Sequence, residues 1–318
     1  MFDITISFGV NKLIDAISRG IGKLYEPVHL KRMASAQAFE INKISDSLLK
    51  SDLPITYNRN GLKVSNGTEQ EIASRASQRL SFIEIRKQQI IDAIVLEAYK
   101  KLEQINFVSS DPVDAGWISR FFNSVDHVDG DEMKSLWGNI LAGEIVQPNS
   151  YSLRALDILK NMTAHDISAL RHISTCVLTV CGRTPKKIVL ISEDLLRKYN
   201  ICVSNILLLR ECGIIASEEL AYELPNASDD ISYIHNSKVM AVIRPYYDLG
   251  QRQFLTVYAF TSAGIELLET ITDDINDNYI FDVLHFIKAS TIDLAITAHE
   301  IKKLTESALE YAKDDIFH

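Results

Sequence analysis

The segment Asp131–Ile145, DEMKSLWGNILAGEI, contains the side chain with the clearest chemical potential in this sequence, Glu144. Its apolar residues recur every three or four positions, which predicts an amphipathic helix; they are Met133, Leu136, Trp137, Ile140, Leu141 and Ile145. Glu144 lies in the same stripe, four residues after Ile140. A carboxylate on an apolar face could act as a general acid, as a metal ligand or as a structural anchor for a buried cation.

The pattern around Glu144 favours the structural anchor. A buried carboxylate without a partner is costly, so a partner should exist. Arg120 and Arg154 lie on the two neighbouring predicted helices and are the candidate partners. A catalytic acid would need a second polar group converging on a pocket, and the sequence offers none that stands out. We therefore assign Glu144, Arg120, Arg154 and the adjacent Trp137 a structural or interaction role, and assign no catalytic residue.

The remaining candidates for chemistry are weak. The sequence contains no GxxxxGK[ST] or GxGxxG phosphate loop, no GxSxG elbow and no HExxH motif. Zinc sites need closely spaced Cys and His, whereas Cys176, Cys181, Cys202 and Cys212 have apolar neighbours and form no CxxC pair. We expect four buried free thiols, no metal and no cofactor. This favours a protein that is not an enzyme, although an enzyme with an unrecognised site stays open.

Composition bounds the class of protein. The chain has 318 residues, of which 47% are hydrophobic and 24% charged, as in a globular protein with one large domain or two. The formal net charge of -9 argues against a surface that binds nucleic acid throughout, although a local basic face stays possible. There is no secretory signal and no apolar run of roughly 18 residues, the length of a spanning helix. We expect a cytoplasmic location.

The N-terminal segment predicts an assembly surface. Residues 10–25 form an amphipathic helix whose stripe includes Leu13, Ile17 and Ile21. A short helix draws its stability from packing, here on its own core, on a second copy or on an anionic membrane. We expect a homo-oligomer that depends on residues 1–50, with membrane contact through the same helix as the alternative.

Patterning predicts a mainly α protein, α+β overall. A capping box at residues 68–71 opens a long helix that runs to about residue 104. The predicted organisation has four parts: amphipathic N-terminal helices (1–50), a helical domain (51–162), a winged-helix-like domain (163–272) and an acidic C-terminal helical segment (273–318).

The winged-helix prediction rests on the order helix, strand, helix, helix, strand, wing, strand in residues 163–272. The third helix of such a domain often reads DNA in the major groove. Candidate nucleic-acid contacts are Arg183, Lys186, Lys187, Asn205 and Arg210. Because that helix is rich in leucine and the chain is acidic, we expect weak, salt-sensitive binding at most.

Three stretches carry a resemblance to a known family: GKLYEPVHLKRMASAQA, RKQQIIDAIVLEA, and the segment from WISRFF to NMTAHD. They resemble a bacterial family, domain of unknown function 2806, and cover the first half of the chain best. The shorter LWGNILAGEI, followed by SLRALDILKNMTAHD, is similar to α-type abortive-infection proteins. The resemblance implies a bacterial cytoplasmic protein of anti-phage defence, and it brings no catalytic residues.

These observations lead to one leading hypothesis for function. The chain is expected to be a non-enzymatic sensor or scaffold of bacterial anti-phage defence that acts through self-assembly and protein contacts. Its partner would be a phage component or an effector encoded in the same operon. The alternative hypothesis is a winged-helix protein that binds nucleic acid.

Overall fold

The computed structural model describes residues 8–21, 69–181, 186–271, 275–304 and 309–317. The chain divides into two compact units, Met1–Tyr151 and Ser152–His318. Helices and one large antiparallel sheet are both present, which confirms the α+β class. The predicted boundary between residues 162 and 163 lies one helix further along the chain than the division between the units.

The described part of the first unit is helical. Its helices are α1 (Phe8–Ile21), α2 (Glu69–Glu103), α3 (Ala115–Ser124) and α4 (Asp131–Val146). Helix α2 matches the predicted long helix to within one residue at each end. Helix α3 begins where the Asp114 carboxylate accepts a hydrogen bond of 2.7 Å from the N–H of Trp117, which satisfies one of the free amides at the helix start.

Aromatic side chains form the centre of the first unit. The ring of Phe121 stacks on that of Trp117, and the Trp137 ring meets Phe121 edge to face, both with centroids 5.2 Å apart. Phe121 and Trp137 are fully buried. Such offset and edge contacts add to the free energy of burying the rings, so Trp137 of the LWGNILAGEI segment is a core residue.

Gly138, next to Trp137, allows α2 and α4 to approach closely. A Cβ on Gly138 would lie 2.5 Å from the Cβ of Glu97 and 3.1 Å from the backbone nitrogen of Ala98. Atoms of neighbouring residues cannot come that close, so a side chain at this position would push the two helices apart. The glycine of the segment is therefore required by helix packing.

The second unit combines helices with an eight-stranded sheet. Its described helices are α5 (Leu153–Asn161), α6 (Ala164–Ser174), α7 (Glu193–Lys198), α8 (Val203–Glu211), α9 (Ser262–Ile271) and α10 (Asp277–Ser290). The strands are β1 (Leu178–Val180), β2 (Lys186–Leu190), β3 (Leu220–Glu223), β4 (Ser232–His235), β5 (Val239–Pro245), β6 (Phe254–Ala259), β7 (Leu294–Leu304) and β8 (Leu309–Tyr311). Their spatial order is β3-β6-β2-β1-β4-β5-β7-β8, and every pair is antiparallel.

Helices α8 and α9 cover one face of this sheet. The Arg210 guanidinium of α8 lies over the Tyr258 ring of β6, 4.8 Å from its centroid. The Lys187 ammonium of β2 lies 3.7 Å from the Glu269 carboxylate of α9. Because successive strand residues alternate between faces, Lys186 and Ile188 point to the opposite face of the sheet from Lys187.

The prediction that residues 273–318 form a helical segment is wrong for part of that range. Helix occupies residues 277–290 of it, but residues 294–304 and 309–311 are strands. Strand β7 pairs along the whole of β5, from Val239 opposite Glu300 to Pro245 opposite Leu294. Without β7 the backbone groups on that side of β5 would lack partners, and this long-range pairing decides the conformation of residues 294–304, LAITAHEIKKL, whose local pattern is ambiguous.

Candidate interaction surfaces

The carboxylate of Glu144 lies inside the first unit, in the last turn of α4. The residue is 1% exposed. Its two oxygens accept hydrogen bonds from the backbone N–H groups of Asn149, at 2.7 Å, and Tyr151, at 3.1 Å. Both bonds come from the main chain and neither from the predicted arginines, Arg120 and Arg154, which are exposed. The pairing of Glu144 with an arginine stays a prediction.

The electrostatic setting explains why those amides are needed. A carboxylate at the end of a helix faces the negative pole of the helix dipole, so it requires donors. The turn after α4 supplies them, and Asn149 adopts a left-handed φ of 69° to complete it. On α1, burial lowers the pKa of Lys12, while the negative charges of Asp111 and Glu144 oppose that shift. The negative charge of Glu144 on α4 therefore acts on the ammonium group of Lys12 on α1.

Trp137 and Glu144 are enclosed, so neither side chain faces solvent. Their surroundings are backbone amides, aromatic rings and helix α2. The LWGNILAGEI segment therefore works as a packing and capping element of the first unit. The residue pattern of this segment therefore reflects packing within the first unit.

The stripe of the N-terminal helix packs against its own chain. Leu13 and Ile17 are both 0% exposed, and α1 contacts α2, α3 and α4. The side chain of Ile21 lies outside the described residues. Self-assembly or membrane contact through this stripe stays a prediction, and either would require α1 to leave the core of the first unit.

Helix α2 carries a surface that the sequence did not single out. We call residues 72–86 of this helix the projecting segment. Its large apolar residues are exposed, namely Ile72 (54%), Leu80 (56%), Phe82 (58%), Ile83 (47%) and Ile85 (38%). From Ile90 onward the same helix becomes buried against α4 and α1. The capping box that predicted the start of α2 does not indicate which turns of the helix are covered.

Some of the apolar residues of the projecting segment form a line along the helix, whereas Phe82 and Ile85 lie off it. Ala76, Leu80 and Ile83 follow each other at spacings of four and three, and this line continues into the buried Ile90. Arg79 lies beside that line, because residues three and four apart are neighbours on a helix. The opposite face carries the exposed polar residues Gln78 and Ser81, which are three apart.

The predicted nucleic-acid contacts are spread over the second unit. Lys186 is exposed on β2, whereas Lys187 on the same strand lies near Glu269. On α8, Asn205 is half-buried, and Arg210 lies over Tyr258 and 3.7 Å from Glu219. Arg183 lies outside the described residues. The large hydrophobic side chains that α8 exposes are Val203, at 57%, and Leu207, at 49%.

The cysteines differ in environment. Cys176 is buried, which raises the pKa of its thiol to about 11. The prediction that all four are buried is wrong, since Cys202 is exposed and Cys181 and Cys212 are half-buried. Cys202 lies at the start of α8, where the chain enters the helix from solvent. Among the residues that the structure describes, no three His, Cys, Asp or Glu side chains group as metal ligands would.

Comparison with known proteins places most of this chain in one family. A family model described as a protein of unknown function (DUF2806) matches residues 74–284. No curated protein and no solved structure matches the chain. In the described ranges, none of the helices combines the length and the apolar composition needed to cross a membrane.

Proposed function

Because the chain belongs to the DUF2806 family, whose function is unknown, we propose a function from its own surfaces. It is a non-enzymatic sensor or scaffold of bacterial anti-phage defence that works through protein contacts. The observation that carries this proposal is the projecting segment of α2, with its run of exposed large apolar side chains.

An exposed apolar helix is stabilised when its apolar face packs against another surface. Helical segments gain most of their stability from packing an apolar face, and contiguous exposed apolar surface marks interaction sites. Full burial of one Leu or Ile side chain contributes roughly 1.5–3 kcal/mol. Burying the half-exposed Leu80, Phe82 and Ile83 against a partner would therefore contribute several kcal/mol to association.

The charges beside the apolar line indicate the partner. The projecting segment exposes three arginines, Arg75, Arg79 and Arg86, and one carboxylate, Glu84, so its rim is positive on balance. A cation at the rim of an apolar contact favours partners with acidic rims and speeds their association. The chemistry fits an acidic surface on a second copy of this chain, on an operon-encoded effector or on a phage component.

The link to defence is our inference from the sequence alone, in which LWGNILAGEI resembles a segment of α-type abortive-infection proteins. That segment forms α4, whose Trp137 and Gly138 build the core from which α2 projects. The similarity therefore supports a shared helical core, and the surface of α2 is where a specific partner would bind.

Paired variants test the proposal. Leu80→Asp with Ile83→Asp places charges on the apolar line, and Gln78→Asp with Ser81→Asp places the same charges on the opposite face as the control. In a bacterial host that carries the gene with its neighbours, the first pair should abolish protection against phage plaques and the second should not. Light scattering of the purified chain, alone and with the products of the neighbouring genes, measures the mass of any complex. That mass should fall for the apolar-line pair and stay unchanged for the control pair.

Each part of the proposal has its own refuting result. If the wild-type chain with its neighbours protects against no phage, the defence role is refuted. If the charged apolar-line pair keeps both full protection and an unchanged complex mass, the protein-contact role is refuted.

A second candidate function has support from topology. We infer a winged-helix-like arrangement because α6, β2, α7, α8, β3 and β6 follow in the order of that fold. Strand β6 lies between β2 and β3, and the hairpin β4–β5 is inserted where the wing would be. Such domains bind DNA or proteins through the third helix, which corresponds to α8.

The exposed face of α8 suits protein better than DNA. Val203 and Leu207 point outward, and nucleic-acid binding needs several exposed cations at phosphate distance. Fluorescence anisotropy with a random-sequence duplex should show weak binding that disappears with added salt. Tight binding at physiological salt, lost in Lys186→Ala with Lys187→Ala, would make nucleic-acid binding the leading function.

A further inference from the structure

A cavity of about 230 Å³ lies against the sheet of the second unit. Strands β1, β2, β3 and β6 provide its walls. The three residues at its base are buried: Val180 is 8% exposed, Ile188 4% and Val257 1%. The base of the cavity is therefore a continuous apolar surface.

Strand register shows that these side chains share one face. Val180 pairs with Lys186, and Leu220 pairs with Val257. Directly paired residues point to the same face of an antiparallel sheet, as do residues two apart on one strand. Lys186 therefore stands on the same face as Ile188 and at one end of the cavity, while Leu220 stands at the other.

Lys186 is the charged residue among those that line the cavity. It is exposed, and in the part of the chain that the structure describes its ammonium has no ion pair. Lys187 points to the opposite face, where it lies near Glu269. The ammonium of Lys186 therefore remains available to a ligand that enters the cavity.

The other polar groups of the cavity are neutral. Burial raises the pKa of the Cys181 thiol, which keeps it protonated. Burial likewise raises the pKa of Tyr222, whose hydroxyl donates a hydrogen bond of 3.0 Å to the Ser232 Oγ. The cavity thus combines an apolar base with one cation at its end.

We propose that this cavity binds a small apolar carboxylate, with the hydrocarbon on Val180, Ile188 and Val257 and the carboxylate at Lys186. A cavity of ~150 Å³ holds benzene, so this one suits a ligand on the order of ten non-hydrogen atoms. The single cation of the cavity matches the one negative charge of a carboxylate better than the charge of about -1.5 to -2 on a phosphate monoester. The cavity belongs to the second unit and shares no residue with the projecting segment, so ligand binding there would be separate from the proposed function.

Octanoate and its neutral counterpart 1-octanol are the probes. Calorimetric titration of the full chain with octanoate should give saturable binding with a dissociation constant on the order of 0.1 mM, and 1-octanol should bind more weakly. Lys186→Met keeps the length of the side chain and removes the charge, so octanoate affinity should fall by about tenfold. Lys187→Met, on the opposite face, is the matched control and should leave the affinity unchanged.

Protection of Cys181 provides a second measurement. Alkylation by iodoacetamide, followed by peptide mass mapping, should slow at Cys181 when octanoate is present and stay constant at the exposed Cys202. No saturable heat up to about 5 mM octanoate would overturn the proposal, as would equal alkylation of Cys181 with and without ligand. Equal affinity for octanoate in wild type and Lys186→Met would overturn the assignment of a carboxylate.

Discussion

Replacing Glu144 with alanine should strongly destabilise the first unit. The substitution removes both oxygens that accept the N–H groups of Asn149, at 2.7 Å, and Tyr151, at 3.1 Å. Hydrogen bonds to a charged acceptor contribute ~1.5–3 kcal/mol each, so the two together contribute about 3–6 kcal/mol. The desolvation of the buried carboxylate offsets part of this, which leaves a net loss of roughly 3 kcal/mol.

Thermal unfolding followed by circular dichroism measures that loss. For a unit of this size, 1 kcal/mol corresponds to ~2–4 °C, so the Tm of the first unit should fall by roughly 6–12 °C. Glu144→Gln keeps one oxygen acceptor but turns an amide donor toward the second N–H. Its Tm should therefore lie between those of the wild type and of Glu144→Ala. Hydrogen exchange should accelerate at the amides of Asn149 and Tyr151 in both variants.

Glu97→Ala is the matched control, because it removes a carboxylate of the same unit and retains its Cβ beside Gly138. Glu97 forms a surface ion pair of 2.7 Å with Lys100, and such pairs contribute ~0–1 kcal/mol. The reasoning is refuted if Glu144→Ala shifts the Tm no more than Glu97→Ala does and leaves the exchange of both amides unchanged.

Three further predictions concern other sites. Gly138→Ala should cost about 1–3 kcal/mol in the free energy of unfolding, measured with urea, because the added methyl would lie 2.5 Å from a side-chain carbon of α2; an unchanged midpoint would contradict the close helix contact. Ellman's reagent should react quickly with the exposed Cys202 and with Cys176 only after unfolding, because burial raises the pKa of Cys176 to about 11; rapid reaction of Cys176 in the folded chain would show that it is accessible. Burial, and then the charge of Lys187, lower the pKa of His235 below 6.5, so the unfolded chain binds the proton more readily. Stability should therefore fall as the pH drops below about 6.5, and His235→Asn should flatten that part of the stability curve; an identical curve for the variant would exclude His235 as the cause.

Several elements followed from local patterns alone. The predicted helix from residue 68 to about 104 is α2, at Glu69–Glu103, because capping residues and helical periodicity are local signals. The sequence also carries the runs KKIVLI, VMAVIRPYY and FLTVYAF, and these contain strands β2, β5 and β6. Their β-branched and aromatic residues, bounded by turn residues, favour strands wherever they lie in the chain.

The candidate site was predictable in part. Helical periodicity placed Glu144 on the apolar face, and the residue is buried. Its donors come from the turn that follows α4, where Asn149 adopts a left-handed φ, and the types of residue in that turn do not specify which amides point inward. Lys186 and Lys187 were predicted together as nucleic-acid contacts, but strand alternation places them on opposite faces of the sheet, and nothing in the sequence indicated the cavity beside Lys186.

Local signals in the sequence were enough to predict helices such as α2 and α4 and strands such as β2 and β6, because periodicity, capping and turn chemistry act over a few residues. Which faces are covered, and whether residues 294–304 form a strand, depends on tertiary contacts. The tertiary structure buried Leu13 and Ile17 of α1, left Leu80 of α2 exposed, and made residues 294–304 a strand beside β5. Those outcomes depend on contacts between residues far apart in the chain, where shape, unpaired backbone groups and competing apolar surfaces act together.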